Sequence, residues 1–199
     1  MNCGRRRSYS RVEMVRLTDR TFHVYNRGVD RQVIYRSDQF YKRFLELMDQ
    51  YVKPADLLIL AFCLMPNHFH LLIKQLRAFG ISALMESTCG DYAKLVNHSL
   101  NRSGHLFENT YQMKVAREDD SCLQLARYIH LNPWKAGLVT NPRDWPYSSC
   151  NAYSGHPAPL FLNCESLLSH LDRDHLHHSA LTQPDGNDPD IPRHLSFRE

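Results

Sequence analysis

The chain has 199 residues, enough for one domain of ordinary size with an appendage. Its 43% hydrophobic and 23% charged residues are those of a soluble globular protein, and no apolar run reaches the roughly 18 residues that a membrane span needs. Six scattered cysteines without a C-x-x-C pair argue against a disulfide frame or a zinc knuckle, and the basic start M-N-C-G-R-R-R-S lacks an apolar signal core, so a cytoplasmic protein is expected.

The net charge of +3 conceals an asymmetry. Residues 1–150 hold 21 Lys and Arg against 14 Asp and Glu, whereas residues 151–199 hold 3 against 7. Residues 1–36 alone contain nine arginines and three acids. Residues 1–18 therefore read as a flexible basic arm, in which Arg5, Arg6, Arg7 and Arg11 suit contacts to nucleic-acid phosphates. The same charges also fit a solvated terminus.

Arg20–Arg27, R-T-F-H-V-Y-N-R, alternates as a strand with Phe22 and Val24 inward. Ser37 and Asp38 offer a helix start, and Phe40, Phe44, Leu45, Met48 and Tyr51 follow at helical spacing, predicting an amphipathic helix over 38–52 that Lys53-Pro54 ends. Leu57–Met65 is continuously apolar, as in a central strand buried on both faces. Pro66-Asn67 is a turn signal. His68–Ile73 then reads as the returning strand, with Phe69, Leu71 and Ile73 on one face and His68 and His70 on the other. Two imidazoles separated by one apolar residue can grip a divalent ion; two satisfied structural histidines are the plainer alternative.

A helix over 82–100 buries Ile81, Leu84, Met85, Thr88, Tyr92, Leu95 and Val96. A fourth strand is predicted at Tyr111–Ala116. D-D-S then starts a third long helix whose inward stripe is Cys122, Leu125, Ala126 and Ile129, and Asn132-Pro133 stops it. The order strand–helix–strand–strand–helix–strand is that of a ferredoxin-like, split βαβ antiparallel sheet of α+β class. The two strands around Pro66-Asn67 are expected in its middle, with helices on one face and the histidine face left for ligand. Proline-rich residues 154–199 form an acidic, weakly packed appendage to a domain spanning 19–153.

Gln124, Tyr128 and Asn132 stand four apart on the third long helix, on a face opposite the apolar stripe. Phosphodiester transfer needs a nucleophile and a Lewis acid on the scissile phosphate. A tyrosyl oxygen with a phenol pKa near 10 can attack phosphorus and later leave. Asn132 can add an amide oxygen to the two imidazoles as a third metal ligand. Lys135, just beyond, can contact phosphate, and Trp134 suits packing or base stacking.

Several motifs in order, Y-N-R-G, L-M-P-N-H-F-H-L-L-I, S-G-H-L-F-E, R-Y-I-H-L-N-P-W-K-A-G-L-V and R-D-W-P-Y-S-S, resemble the single-tyrosine HUH transposases, most closely the REP-associated tyrosine transposases. The resemblance covers about Thr21 to Tyr153. It implies that His68 and His70 bind the metal, Mg²⁺ or Mn²⁺, and that Tyr128 is the nucleophile. Asn132 occupies a position where related transposases carry glutamine. The implied activity is cutting and rejoining single-stranded or hairpin DNA through a 5′-phosphotyrosine intermediate, by a monomer or homodimer without membrane attachment. A protein that holds a nucleic-acid hairpin without cutting it is the alternative, and a zinc hydrolase lacks an Asp or Glu partner near H-F-H.

Overall fold

The computed structural model describes residues 10–116 and 119–173. Arg5, Arg6 and Arg7 lie outside them. Four antiparallel strands, β1 (Arg20–Arg27), β2 (Leu57–Met65), β3 (His68–Gln75) and β4 (Gln112–Val115), form one sheet in the order β2-β3-β1-β4. This is the ferredoxin-like order, with β3 and β1 in the middle. β2 is therefore an edge strand, not a central one as its unbroken apolar run suggested. The reason is that both of its faces are packed and its free edge is covered. Leu64 N–H donates to the Tyr147 carbonyl, and isolated bridges join Cys63 to Ser148 and Ile59 to Leu162.

The helices are α1 (Arg11–Met14), α2 (Asp38–Ala55), α3 (Gly80–Ser99), α4 (Asp119–Lys135) and α5 (Cys164–Arg173). Strand alternation sorts the core into two clusters. Phe22, Val24, Phe69, Leu71 and Ile73 pack with Phe44, Met48, Leu84 and Tyr92 of α2 and α3. On the other face, Ala61, Cys63 and Leu72 pack with Cys122, Leu125, Ala126 and Ile129 of α4. The expectation of helices on one face thus holds for α2 and α3, while α4 covers part of the opposite face, next to the histidines.

Two helix ends differ from their proline signals. α2 includes Pro54 and α4 includes Pro133. Proline removes a donor to the carbonyl four residues earlier, which for Pro133 is that of Ile129. Asn132 Nδ2 donates to the carbonyls of Tyr128 (2.7 Å) and Ile129 (3.5 Å), so its amide takes over part of the missing bonding.

Residues expected to be loose are also tied down. Ser10 and Glu13 make a reciprocal capping box on α1, and Gln75 Nε2 donates to the carbonyls of Val15 and Leu17. Beyond residue 154, α5 inserts Leu167, fully buried, into the α4-side cluster. Among the described residues all cysteines are free, and no helix is long and apolar enough to cross a membrane.

Candidate active site

The β2–β3 hairpin presents the histidines because its two-residue turn is held from three sides. Gly28 N–H donates to the Asn67 carbonyl, and the amides of Ile34 and Tyr35 both donate to the Pro66 carbonyl. Asn67 Nδ2 donates to the Arg31 carbonyl at 3.2 Å. Gly28 has to be glycine here, since a Cβ would stand 2.4 Å from the Gln32 carbonyl oxygen. Y-N-R-G and S-G-H-L-F-E are two halves of one support. Gly28 bridges to Phe107, and Arg27 Nε and Nη2 both donate to Glu108, at 2.9 and 2.8 Å.

His68 and His70 share the α4 face, their ring centroids 5.0 Å apart and edge-on. His68 Nδ1 lies 2.6 Å from Asn67 Oδ1. Because Asn67 Nδ2 is turned to Arg31, the atom facing His68 is an acceptor, so the imidazole proton sits on Nδ1 and the lone pair on Nε2. His70 Nδ1 lies 2.9 Å from Nε2 of His23 on β1. Burial, with Arg27 adding to it, lowers the His68 pKa to about 4. Burial holds His70 well below its ordinary value, and the nearby rings of His23 and His68 add to that shift. Both rings are therefore neutral near pH 7, the form that binds metal.

Tyr128 is buried, 8% exposed, not outward as the face opposite Cys122–Ile129 implied. α4 is enclosed by the sheet on one side and by α5 and the turn at Pro142–Asp144 on the others, so its buried surface is wider than one stripe. Gln124, one turn earlier, is exposed. The Tyr128 ring stands edge-on to His70 (centroids 5.6 Å apart) and to His23 (6.0 Å). Burial pushes its hydroxyl up to about 12, Tyr25 adds to the rise, and a hydrogen bond with Asn132 opposes it.

A cavity of about 620 Å³ is lined by His68, His70, Tyr128, Asn132, Lys135, Arg27 and Arg31 among others, with three cations and no carboxylate in its wall. Among the described residues no three His, Cys, Asp or Glu side chains converge as a metal-binding group. The donor set is thus two imidazoles with the Asn132 amide beside them. That set fits a divalent ion: the His68 tautomer leaves Nε2 for ligation, and Asn132 spends its Nδ2 on its own helix, leaving Oδ1. Arg11 is placed elsewhere, donating to the Tyr111 carbonyl at 2.7 Å and lying over that ring.

Three residues at the site escaped the sequence reading: His23, Tyr25 and Arg27. The alternation of β1 that turns Phe22 and Val24 inward puts these three together on the histidine face, and β1 pairs Tyr25 with His70 and Arg27 with His68. R-D-W-P-Y-S-S proves to be structural, since Trp145 Nε1 donates to the Leu64 carbonyl and Tyr147 stacks on Tyr41 at 3.7 Å. His130 serves the same edge, its Nε2 lying 2.8 Å from Ser149 Oγ.

Residues 17–132 match the family described as Transposase IS200 like. A Haemophilus influenzae chain named as a REP-associated tyrosine transposase is 29% identical over 101 residues, covering 45% of this chain and 56% of that relative, so the match spans little more than half of the relative's length. Among solved structures, a REP-associated tyrosine transposase bound to a REP hairpin superposes with a TM-score of 0.58 at 16% identity, over 81% of this chain and 93% of that one. That likeness establishes the fold.

Proposed function

The chain belongs to the IS200-like transposase family, and from that premise we propose that it nicks and rejoins single-stranded DNA beside hairpin repeats, with Tyr128 as the nucleophile. The observation that supports this most is the convergence of Tyr128, His68, His70 and Asn132 on one cavity whose charged lining residues are all basic. A phosphodiester is the substrate such a wall suits, and the hairpin in the related complex is the substrate form to test first.

Tyr128 Oη attacks phosphorus in line with the bond to the 3′ oxygen. The P–O3′ bond breaks, the tyrosyl proton is lost to solvent, and the departing oxygen takes up a proton to become a 3′ hydroxyl. The 5′ phosphate stays on Tyr128, so the bond energy is conserved for resealing when a 3′ hydroxyl attacks and the tyrosyl oxygen leaves. With its hydroxyl at about 12, Tyr128 is a phenol at neutral pH and must lose its proton as the new bond forms. His68 and His70, with Asn132 Oδ1, would hold Mg²⁺ or Mn²⁺, which supplies Lewis-acid stabilisation of charge on the scissile phosphate. Lys135 and Arg31, which line the same cavity, hold the DNA backbone.

Incubation with labelled hairpin DNA from the gene's own locus and Mg²⁺ tests the reading. Cleavage by wild type, its loss in His68→Ala and His70→Ala with binding retained, and its loss in excess EDTA are expected. Full cleavage in EDTA, or hairpin binding without any cutting, would overturn it.

A further inference from the structure

His23 is 1% exposed on a central strand, an unfavourable place for an imidazole unless something requires one there. In register it faces Leu72, two pairs along from Tyr25 and His70 and so on the same face as both. Its ring stacks on that of His70, with centroids 5.1 Å apart and 28° between planes, and its Nε2 is 2.9 Å from His70 Nδ1.

A neutral His70 carries one ring proton. If that proton sat on Nε2, the atom that could face a metal would be an N–H, and the pair with His68 could not chelate. With the proton on Nδ1, His70 needs an acceptor at that side, and His23 Nε2 is placed to be it. Asn67 Oδ1 does the same for His68. Each candidate ligand is thus oriented through its Nδ1 by one neighbour, as metal-ligating histidines commonly are.

We propose that His23 is a positioning residue, accepting the Nδ1 proton of His70 so that Nε2 is presented for metal. The inference rests on the proposed metal role of His68 and His70. In this arrangement the His23 proton lies on its own Nδ1, which is buried without a hydrogen-bond partner among the described residues. That unmet donor costs stability, so a role confined to folding would not favour it.

The two kinds of role predict opposite signs in one experiment. Mn²⁺ binding is titrated by electron paramagnetic resonance on full-length wild type, His70→Ala, His23→Leu and His23→Gln, and unfolding by denaturant is followed on the same four proteins. We expect one site in wild type that His70→Ala abolishes. His23→Leu should be folded at least as stably as wild type yet bind Mn²⁺ about 10- to 100-fold more weakly. His23→Gln, whose amide oxygen can still accept, should recover most of that loss. Long-range ¹⁵N spectra of metal-free wild type should show His70 protonated on Nδ1. A folded His23→Leu with wild-type affinity, or His70 found protonated on Nε2, would overturn the role of His23 and leave the metal site standing. Absence of any Mn²⁺ site sensitive to His70→Ala would overturn both.

Discussion

Ser149→Ala removes one oxygen atom, yet it should damage the seat of the proposed nucleophile. The Ser149 hydroxyl accepts the Phe62 N–H at 2.8 Å and donates to the Phe62 carbonyl at 3.2 Å. It also lies 2.8 Å from Nε2 of His130, which is fully buried on α4 two residues after Tyr128. Two accepted bonds and one donated bond use the full capacity of a hydroxyl. Alanine would strand two buried N–H donors, one on the edge strand β2 and one on α4. At about 1–3 kcal/mol for each unsatisfied group, the loss should be roughly 2–6 kcal/mol, or at least about 4 °C in Tm for a domain of this size. Denaturant unfolding measures the first quantity, and hydrogen exchange at the Phe62 amide reports the locus. DNA cleavage should fall as well, because α4 would be less firmly seated over the sheet. Stability within about 0.5 kcal/mol of wild type, the range of ordinary surface substitutions, together with unchanged Phe62 exchange, would refute this reading of the network.

Acid should destabilise the fold through its buried neutral histidines. The folded pKa of His68 is lowered to about 4 and that of His23 to about 3, so as pH falls below about 6.5 only the unfolded chain takes up these protons. Each histidine should then cost about 1.4 kcal/mol per pH unit until its folded pKa is reached. Denaturant unfolding of wild type and His68→Gln between pH 7.5 and 5 checks this, and parallel curves would contradict the placement of His68. Replacing Arg5, Arg6 and Arg7 together by alanine leaves α1 intact and should flatten the salt dependence of single-stranded DNA affinity by up to about 0.7 for each arginine that pairs with a phosphate; an unchanged slope would remove the arm from the interface. Gly28→Ala should destabilise the protein by at least about 1 kcal/mol and loosen the His68 turn, because its Cβ would collide with the backbone at Gln32; a melting temperature equal to wild type would contradict the close approach.

The strands β1 and β2 were legible to the residue, because alternation in one and an unbroken apolar run in the other are direct imprints of burial. The sheet position of β2 was not. An edge strand covered by Tyr147, Ser148 and Leu162 carries the same composition as a central one, and the covering residues come some 80 to 100 positions later in the chain. The histidine pair on one face followed from strand periodicity alone. The seating of Tyr128 did not, because helical periodicity tells which side faces the largest core and nothing of a helix packed on more than one side. Asn132 illustrates a different limit. Its neighbour Pro133 reads as a helix stop, yet the Asn132 amide supplies donors to the carbonyls around the break, and the helix runs to Lys135. His23 was in plain view in R-T-F-H-V-Y-N-R, but its significance lies in a 2.9 Å contact with a residue 47 positions away, which a single sequence does not display.

The central claim is that Tyr128 becomes covalently joined to DNA, and Tyr128→Phe tests it with the loss of a single oxygen. The hydroxyl contributes at most about 1 kcal/mol through its hydrogen bond with Asn132, so the variant should fold and bind hairpin DNA like wild type. On a denaturing gel with DNA labelled on either side of the cut, wild type should yield a protein–DNA adduct carrying the 5′ side and a free 3′ fragment. Tyr128→Phe should yield neither. Residual cleavage by the Phe variant would assign Tyr128 an accessory acid–base part at most, and an adduct mapped to any other residue would contradict the account at its centre.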